Sequence, residues 1–225
     1  MKILVAVICC KFKLYSLNEC LQAIKKAGFE DVLLNYEGDE DDLIDLESTK
    51  FTQVWQMIGA GVNERKFDQD QSARLTKICV ARNQCLDFAQ QGNYDWILFV
   101  DSDVMLPLDT KEKLFTSAID FKLRSGIVKG RGVHSHARYM FYPHGMVQGW
   151  QQADYFTCGF MAIHRDVFWR LRFRWGKALS SEVVASEDPL FGEDARTILK
   201  EYWWGRLDLV AEHLGDLKDG ETSQF

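Results

Sequence analysis

Two spacings of apolar residues divide this chain, one with apolar neighbours in unbroken runs and one with apolar residues every third or fourth place. The first run, Ile3-Leu4-Val5-Ala6-Val7-Ile8-Cys9-Cys10, has no polar gap, as expected of a strand covered on both faces. Leu17, Cys20, Leu21 and Ile24 then recur at helical spacing behind Ser16 and Glu19, a capping-box pattern, and the stripe stops before Gly28. Residues 31–36 predict a second strand and 51–58 a third, with 59–69 a polar connection. Residues 71–91 predict a long helix with the stripe Leu75, Ile78/Cys79, Cys85/Leu86 and Ala89. It leads into Trp96-Ile97-Leu98-Phe99-Val100, a second unbroken apolar run. Further on, 110–124 predicts a helix capped by Asp109 and Glu112, and 126–133 a strand. The glycine- and histidine-bearing stretch up to Trp150 reads as irregular, 153–164 as a strand, 189–202 as a helix, 206–212 as a last strand and 216–225 as a loose tail. This order is that of an α/β protein, opening with the strand–helix–strand unit usual in nucleotide-binding halves.

With 225 residues, 47% of them hydrophobic, the chain can build one substantial core, so a single domain over 1–216 and a tail over 217–225 are expected. A net charge of -6 lacks the basic surface of a general nucleic-acid binder, and no nucleic-acid partner is expected. The first apolar run is too short for a secretory leader and has no small-residue cleavage pattern. No segment reaches the ~20 apolar residues of a membrane helix. Cys9, Cys10, Cys20, Cys79, Cys85 and Cys158 sit mostly inside apolar patterns without zinc-site spacing, as buried thiols of a cytoplasmic protein would. The acidic run Glu37-Gly38-Asp39-Glu40-Asp41-Asp42 reads as a solvated loop, with a metal-attracting role left open.

Chemistry enters where the second apolar run stops, at Asp101-Ser102-Asp103. On an extended backbone residues two apart point the same way, so Asp101 and Asp103 are expected to converge while Ser102 faces away. Open α/β sheets bind ligands beyond the carboxyl ends of their strands. A carboxylate pair there can hold a hard divalent cation, and the cation a diphosphate. An isolated Asp-x-Asp is more often a solvated turn; the buried strand before this one reverses that preference. Arg82 falls in the apolar stripe of the long helix, where a guanidinium either pairs with a carboxylate or reaches an anionic ligand. Asn83 beside it offers both donor and acceptor groups.

Ala81-Arg82-Asn83-Gln84, followed by Tyr94-Asp95-Trp96-Ile97-Leu98-Phe99-Val100-Asp101-Ser102-Asp103 with Pro107 beyond, resembles the nucleotide-sugar glycosyltransferases of the GT-A fold, in their family-2-like group. Thr157-Cys158-Gly159-Phe160-Met161-Ala162-Ile163-His164-Arg165-Asp166-Val167-Phe168 is similar to that family's strand with a glycine at the acceptor site. Gly192-Glu193-Asp194 resembles its acidic motif opening a helix, and His213-Leu214-Gly215-Asp216 its terminal metal-binding histidine. The resemblance spans 1–216. It implies a Rossmann-like mixed central sheet flanked by helices, and a metal-dependent enzyme moving sugar from a nucleoside-diphosphate-sugar donor to a hydroxyl of a glycan, protein or lipid-linked acceptor, with inversion. It further implies Arg82, Asn83, Asp101, Ser102, Asp103 and Gly159 on the donor side. Mn2+ or Mg2+ is expected on Asp101, Asp103 and His213, with Asp103 the first choice of direct ligand and Asp101 on metal or ribose. Mixed carboxylate and imidazole ligands suit those ions better than zinc, and the ion would stabilise the leaving diphosphate.

An inverting transfer needs a base for the acceptor hydroxyl, usually a carboxylate. Glu187-Asp188 and Glu193-Asp194 compete for that role. Asp194, with Glu193 beside it, is the first choice, because its Gly-Glu-Asp setting places it at a helix start where the dipole would hold a carboxylate. The spacing to His213 fits Asp188 better. His134, His136 and His144 lack fixed metal-site spacing and read as an acceptor-side loop. Arg170-Leu171-Arg172-Phe173-Arg174-Trp175 alternates basic and apolar residues, which suits ordinary packing more than a peripheral membrane contact or a lipid-linked acceptor. Two other functions stay open. A nucleotidyltransferase would want a glycine-rich loop where Cys9-Cys10-Lys11-Phe12-Lys13 has no glycine. A nucleotide-sugar-binding module without catalysis would keep the acids and lack a base.

Overall fold

Unbroken apolar runs become inner strands here because both faces of the sheet are covered. The computed structural model describes residues 1–38, 53–58, 71–116, 119–128, 145–154, 159–179 and 184–214. In chain order these form β1 (Ile3–Cys10), a 3-10 turn (Lys11–Lys13), α1 (Leu14–Lys26), β2 (Asp31–Glu37), β3 (Gln53–Ile58), α2 (Gln71–Gln91), β4 (Trp96–Asp101), β5 (Val104–Met105), α3 (Thr110–Phe115) and β6 (Leu123–Val128). There follow β7 (Gly145–Val147), β8 (Trp150–Ala153), β9 (Phe160–His164), α4 (Arg165–Phe168), β10 (Gly176–Lys177), β11 (Val184–Ala185), α5 (Glu187–Asp194), a π-helical turn (Ala195–Leu199) and β12 (Trp203–His213).

The strands lie in the order β3-β2-β1-β4-β9-β6-β12-β8-β7, with β5 on the end of β12. β1 to β4 run parallel to one another, β9 runs antiparallel between β4 and β6, and β12 runs parallel to β6. Alternate residues of one strand feed opposite layers. Val5, Val7, Leu98 and Val100 pack with Leu17, Leu21 and Ile24 of α1. Leu4, Ala6, Ile97 and Phe99 pack on the other side with Cys85, Leu86 and Ala89 of α2 and Phe191 of α5. Each such buried side chain contributes about 1.5–3 kcal/mol relative to exposure, so neither layer tolerates a polar gap in β1 or β4.

The mixed α/β sheet and the long helix over 71–91 are as expected, but several boundaries move. The capping box does not form, because α1 begins at Leu14 and the Ser16 hydroxyl donates back to the Lys13 carbonyl at 2.9 Å. The helix expected over 110–124 ends at Phe115. Buried Arg124 joins β6, and its guanidinium donates to the carbonyls of Leu114, Ile119 and Phe121, groups that a continuing helix would have used itself. The strand expected from 126 accordingly starts at Leu123. The single strand expected over 153–164 is two: β8 lies beside β12, while β9 crosses to a place between β4 and β6. The last strand extends the expected 206–212 at both ends.

The alternating segment after α4 packs as ordinary chain. Leu171 and Phe173 are buried, Arg172 donates to Asp87 and Gln90 of α2, and Arg174 pairs with Asp194 of α5. No helix among the described residues is long and apolar enough to cross a membrane. His134, His136, His144, Cys158, the acids at 39–42 and the tail expected over 216–225 lie outside the described residues.

Candidate functional site

β4 ends at Asp101, and the chain turns there rather than staying extended. The expected arrangement of two acids on one side with Ser102 opposite is therefore replaced by three separate environments. Asp101 is half-buried at the strand end, and its amide donates to the Gly159 carbonyl at 3.1 Å. Ser102 is buried, beside the buried thiol of Cys9. Burial pushes that thiol up to about 12, so Cys9 stays protonated. Asp103 is fully buried.

A two-residue strand that the sequence pattern did not reveal brings His213 to this turn. β5 pairs with the end of β12, Val104 opposite His213, and the Leu214 amide donates to the Asp103 carbonyl at 2.8 Å. The His213 Nε2 consequently stands 3.2 Å from Asp103 Oδ2. The pairing of Asp103 with His213 is thus present in the fold.

Lys13 is a third member that sequence reading did not place. It closes the 3-10 turn after β1, and β1 is the parallel neighbour of β4, with Ile8 opposite Asp101. Its Nζ lies 2.9 Å from Asp103 Oδ2. Burial alone would raise the Asp103 carboxyl, but the His213 hydrogen bond and the Lys13 charge outweigh it and hold the group well below the usual carboxylate range. The signal for Lys13 was available in strand order, since a basic residue just past β1 must fall beside the acids just past β4.

Across the edge stand the residues of α2 and α5. Arg82 is buried between the rings of Phe99 and Phe173, each centroid 5.5 Å from its guanidinium carbon. Its Nη2 is 3.7 Å from Glu187 Oε1 and 4.0 Å from Asp188 Oδ1. Of the two expectations for this arginine, the free protein realises the carboxylate pair. Asn83, expected on the donor side, bonds the chain at Phe173: its side-chain amide donates to the Phe173 carbonyl at 2.9 Å and accepts from the Phe173 N–H at 2.8 Å. Glu187 is raised by burial and by the Asp188 charge, against the pull of Arg82, with Asp101 adding to the rise. That last influence ties α5's first turn electrostatically to the end of β4.

The helix expected to open near Asp194 opens instead at Glu187, and Asp194 is its last residue. Pro189 stands in the first turn, where a missing N–H costs nothing, so it did not mark the first position. Asp194 receives both arms of Arg174, Nε to Oδ2 at 2.7 Å and Nη2 to Oδ1 at 2.6 Å, while Glu193 Oε2 accepts from the Leu179 amide at 2.9 Å. These acids anchor the 171–179 segment. The acids at the positive end of the helix dipole are Glu187 and Asp188. Gly159 faces Asp101 at close range, since a Cβ there would lie 3.0 Å from Asp101 Oδ2.

Two of the residues expected to hold Mn2+ or Mg2+, Asp103 and His213, are engaged with each other as the chain is folded. Asp103 is wholly covered, and its Oδ2 is already met by an ammonium and an imidazole. Among the described residues no three His, Cys, Asp or Glu side chains converge as a metal would need. An open depression lined by Gln152, Asp154, Arg196, Thr197, Lys200 and Tyr202 lies by the start of β12, at the far end of that strand from His213.

No known family model matches the chain, and no curated protein does. Solved structures do. The crystal structure of S. aureus TarS 1-349 is 18% identical with a TM-score of 0.60, covering 95% of this chain and 60% of that one. The same protein in complex with UDP-GlcNAc is 17% identical with a TM-score of 0.54, covering 94% and 58%. A197 from STIV is 16% identical with a TM-score of 0.47, covering 95% and 85%. This chain thus spans about 60% of the length of the TarS 1-349 structures it matches. At these identities the likeness is one of architecture: the protein has a GT-A-type α/β fold, a mixed central sheet flanked by helices.

Proposed function

We propose that this protein is a glycosyltransferase that moves a sugar from a nucleoside-diphosphate-sugar donor to an acceptor hydroxyl. The observation that supports it is the meeting, at one carboxyl edge of a GT-A-type sheet, of Asp101, Asp103 and His213 with the acid pair Glu187 and Asp188 held by Arg82. Ligands of open α/β sheets bind at that edge. A structure similar in fold was solved with UDP-GlcNAc, which supports a donor of that class.

Asp188 is the base. Its side chain is 19% exposed against 8% for Glu187, so it is the acid of the first turn that an acceptor can reach. It takes the hydroxyl proton as the acceptor oxygen attacks the anomeric carbon, the bond from that carbon to the diphosphate breaks, and inversion follows. Glu187 and Arg82 orient it. Gly159 leaves Asp101 the room to meet the donor. Free thiols at Cys9, Cys10, Cys20, Cys79 and Cys85 support a reducing compartment such as the cytoplasm.

The test is a panel of nucleotide sugars with glycan and lipid-linked acceptors, reading nucleoside diphosphate release and the anomeric configuration of the product by NMR. Transfer with inversion is expected. Tight donor binding without any turnover would leave a binding module, and pyrophosphate release from nucleoside triphosphate and sugar phosphate would make it a nucleotidyltransferase.

A further inference from the structure

We propose that the Lys13 ammonium, rather than a divalent cation, meets the donor diphosphate at the Asp101–Asp103 edge; this rests on the glycosyltransferase reading above. Lys13 Nζ stands 2.9 Å from Asp103 Oδ2, the same oxygen that His213 Nε2 meets at 3.2 Å and that a divalent cation on Asp103 would need. Exposure orders the three groups: the Asp103 side chain is 0% exposed, His213 15% and Lys13 37%. The carboxylate is therefore the floor of the site and the ammonium its outer member. An anion arriving from solvent meets the positive charge first, while a cation arriving from solvent meets a like charge in front of its ligand.

The surrounding chain favours the same assignment. Both Asp101 and Asp103 act on Lys13 through their charges, so the ammonium lies in the field of both acids rather than at the end of a one-to-one pair. α1 starts at the next residue, and its N-cap makes no side-chain hydrogen bond to the first-turn amides. The positive end of a 13-residue helix thus adjoins the ammonium, and such an end favours phosphate oxygens. An ammonium with three donors can keep one on Asp103 and direct others outward to phosphate oxygens. A dication and an ammonium on one carboxylate oxygen repel, so occupation by one excludes the other.

Two measurements test this on the full chain. In the first, Mn2+ alone is titrated into protein and followed by EPR. Wild type and Lys13→Arg are expected to leave the free-ion signal unchanged, whereas Lys13→Met gains a stoichiometric site that disappears again in Lys13→Met/Asp103→Asn. In the second, UDP and inorganic pyrophosphate are titrated calorimetrically in EDTA. Wild type is expected to bind both, Lys13→Arg to bind within about threefold, and Lys13→Met to weaken by roughly tenfold or more, the loss of a charge-assisted contact. Stoichiometric Mn2+ binding by wild type, or UDP binding by wild type that vanishes in EDTA and returns with Mn2+, overturns the proposal. Should Lys13→Met fail to fold, the wild-type and Lys13→Arg titrations still decide it. If wild type binds UDP neither in EDTA nor with Mn2+, the glycosyltransferase reading fails, while the Mn2+ titration separately judges the place of Lys13.

Discussion

Changing Asp188 to Asn and, separately, Asp194 to Asn asks the fold which acid does chemistry. Asn keeps the shape and removes the proton acceptor. In Asp188→Asn the contact with Arg82, at 4.0 Å, is too long for a hydrogen bond, and Asn keeps its shape. The loss falls on the chemical step, by about 10²–10⁴-fold for a missing general base, or about 2.7–5.4 kcal/mol of barrier. Asp194→Asn does the reverse. It breaks a two-armed pairing with Arg174 made at 2.7 and 2.6 Å, in which Arg174 is 34% exposed and Asp194 7%. Charge-assisted hydrogen bonds contribute about 1.5–3 kcal/mol when well buried, and solvent around the arginine trims the total to about 1–3 kcal/mol. For a chain of this size each kcal/mol lowers Tm by about 2–4 °C. Single-turnover transfer with the productive donor and acceptor, donor titration and thermal melting separate the two effects. A dead Asp194→Asn with an unchanged melt, beside an active Asp188→Asn, would refute the assignment of the base.

Gly159→Ala places a methyl 3.0 Å from Asp101 Oδ2; donor affinity should weaken by roughly tenfold, the worth of one disturbed charged contact, while the melt stays put, and an unchanged dissociation constant counts against a donor role for Asp101. Arg82→Lys keeps the charge but loses the stacking between Phe99 and Phe173, so the melt should report a loss of about 1–2 kcal/mol with donor affinity intact; calorimetry showing the opposite split would assign Arg82 to the donor. Glu187 carries a raised pKa, chiefly from burial, so its protonated form favours the fold. That contribution is complete below its ordinary 4.5 and disappears as pH rises through the folded value. Urea midpoints across pH should show this fall in wild type and lack it in Glu187→Gln; identical profiles would mean that Glu187 is not the group responsible.

The layers of this fold were legible because β1 and β4 must satisfy two apolar faces at once, which leaves an unbroken run that nothing else in the chain imitates. The helix 71–91 was legible because Leu75, Ile78/Cys79, Cys85/Leu86 and Ala89 keep helical spacing despite Arg82 in their midst. What the pattern hid were features set by partners distant in sequence. Arg124 looks like helix surface until the carbonyls of Leu114, Ile119 and Phe121 are seen to converge on it. β5 has two residues and no periodicity to read. Asp194 carried the more familiar local motif, yet the helix had already begun at Glu187, because a proline in the first turn is compatible with any of its positions. Spacing to His213, a long-range measure, pointed to Asp188, which lies in the first turn of α5.

The pairing of β5 with β12 rests on two residue pairs, Met105 with Glu212 and Val104 with His213. The rest of β12 is held independently by β6 and β8. The short pairing at the end of β12 is therefore the part of that strand expected to open first, releasing His213 from Asp103 while the sheet stays zipped. Amide exchange should reach Leu214, whose N–H is bonded to Asp103, well before it reaches Ala211.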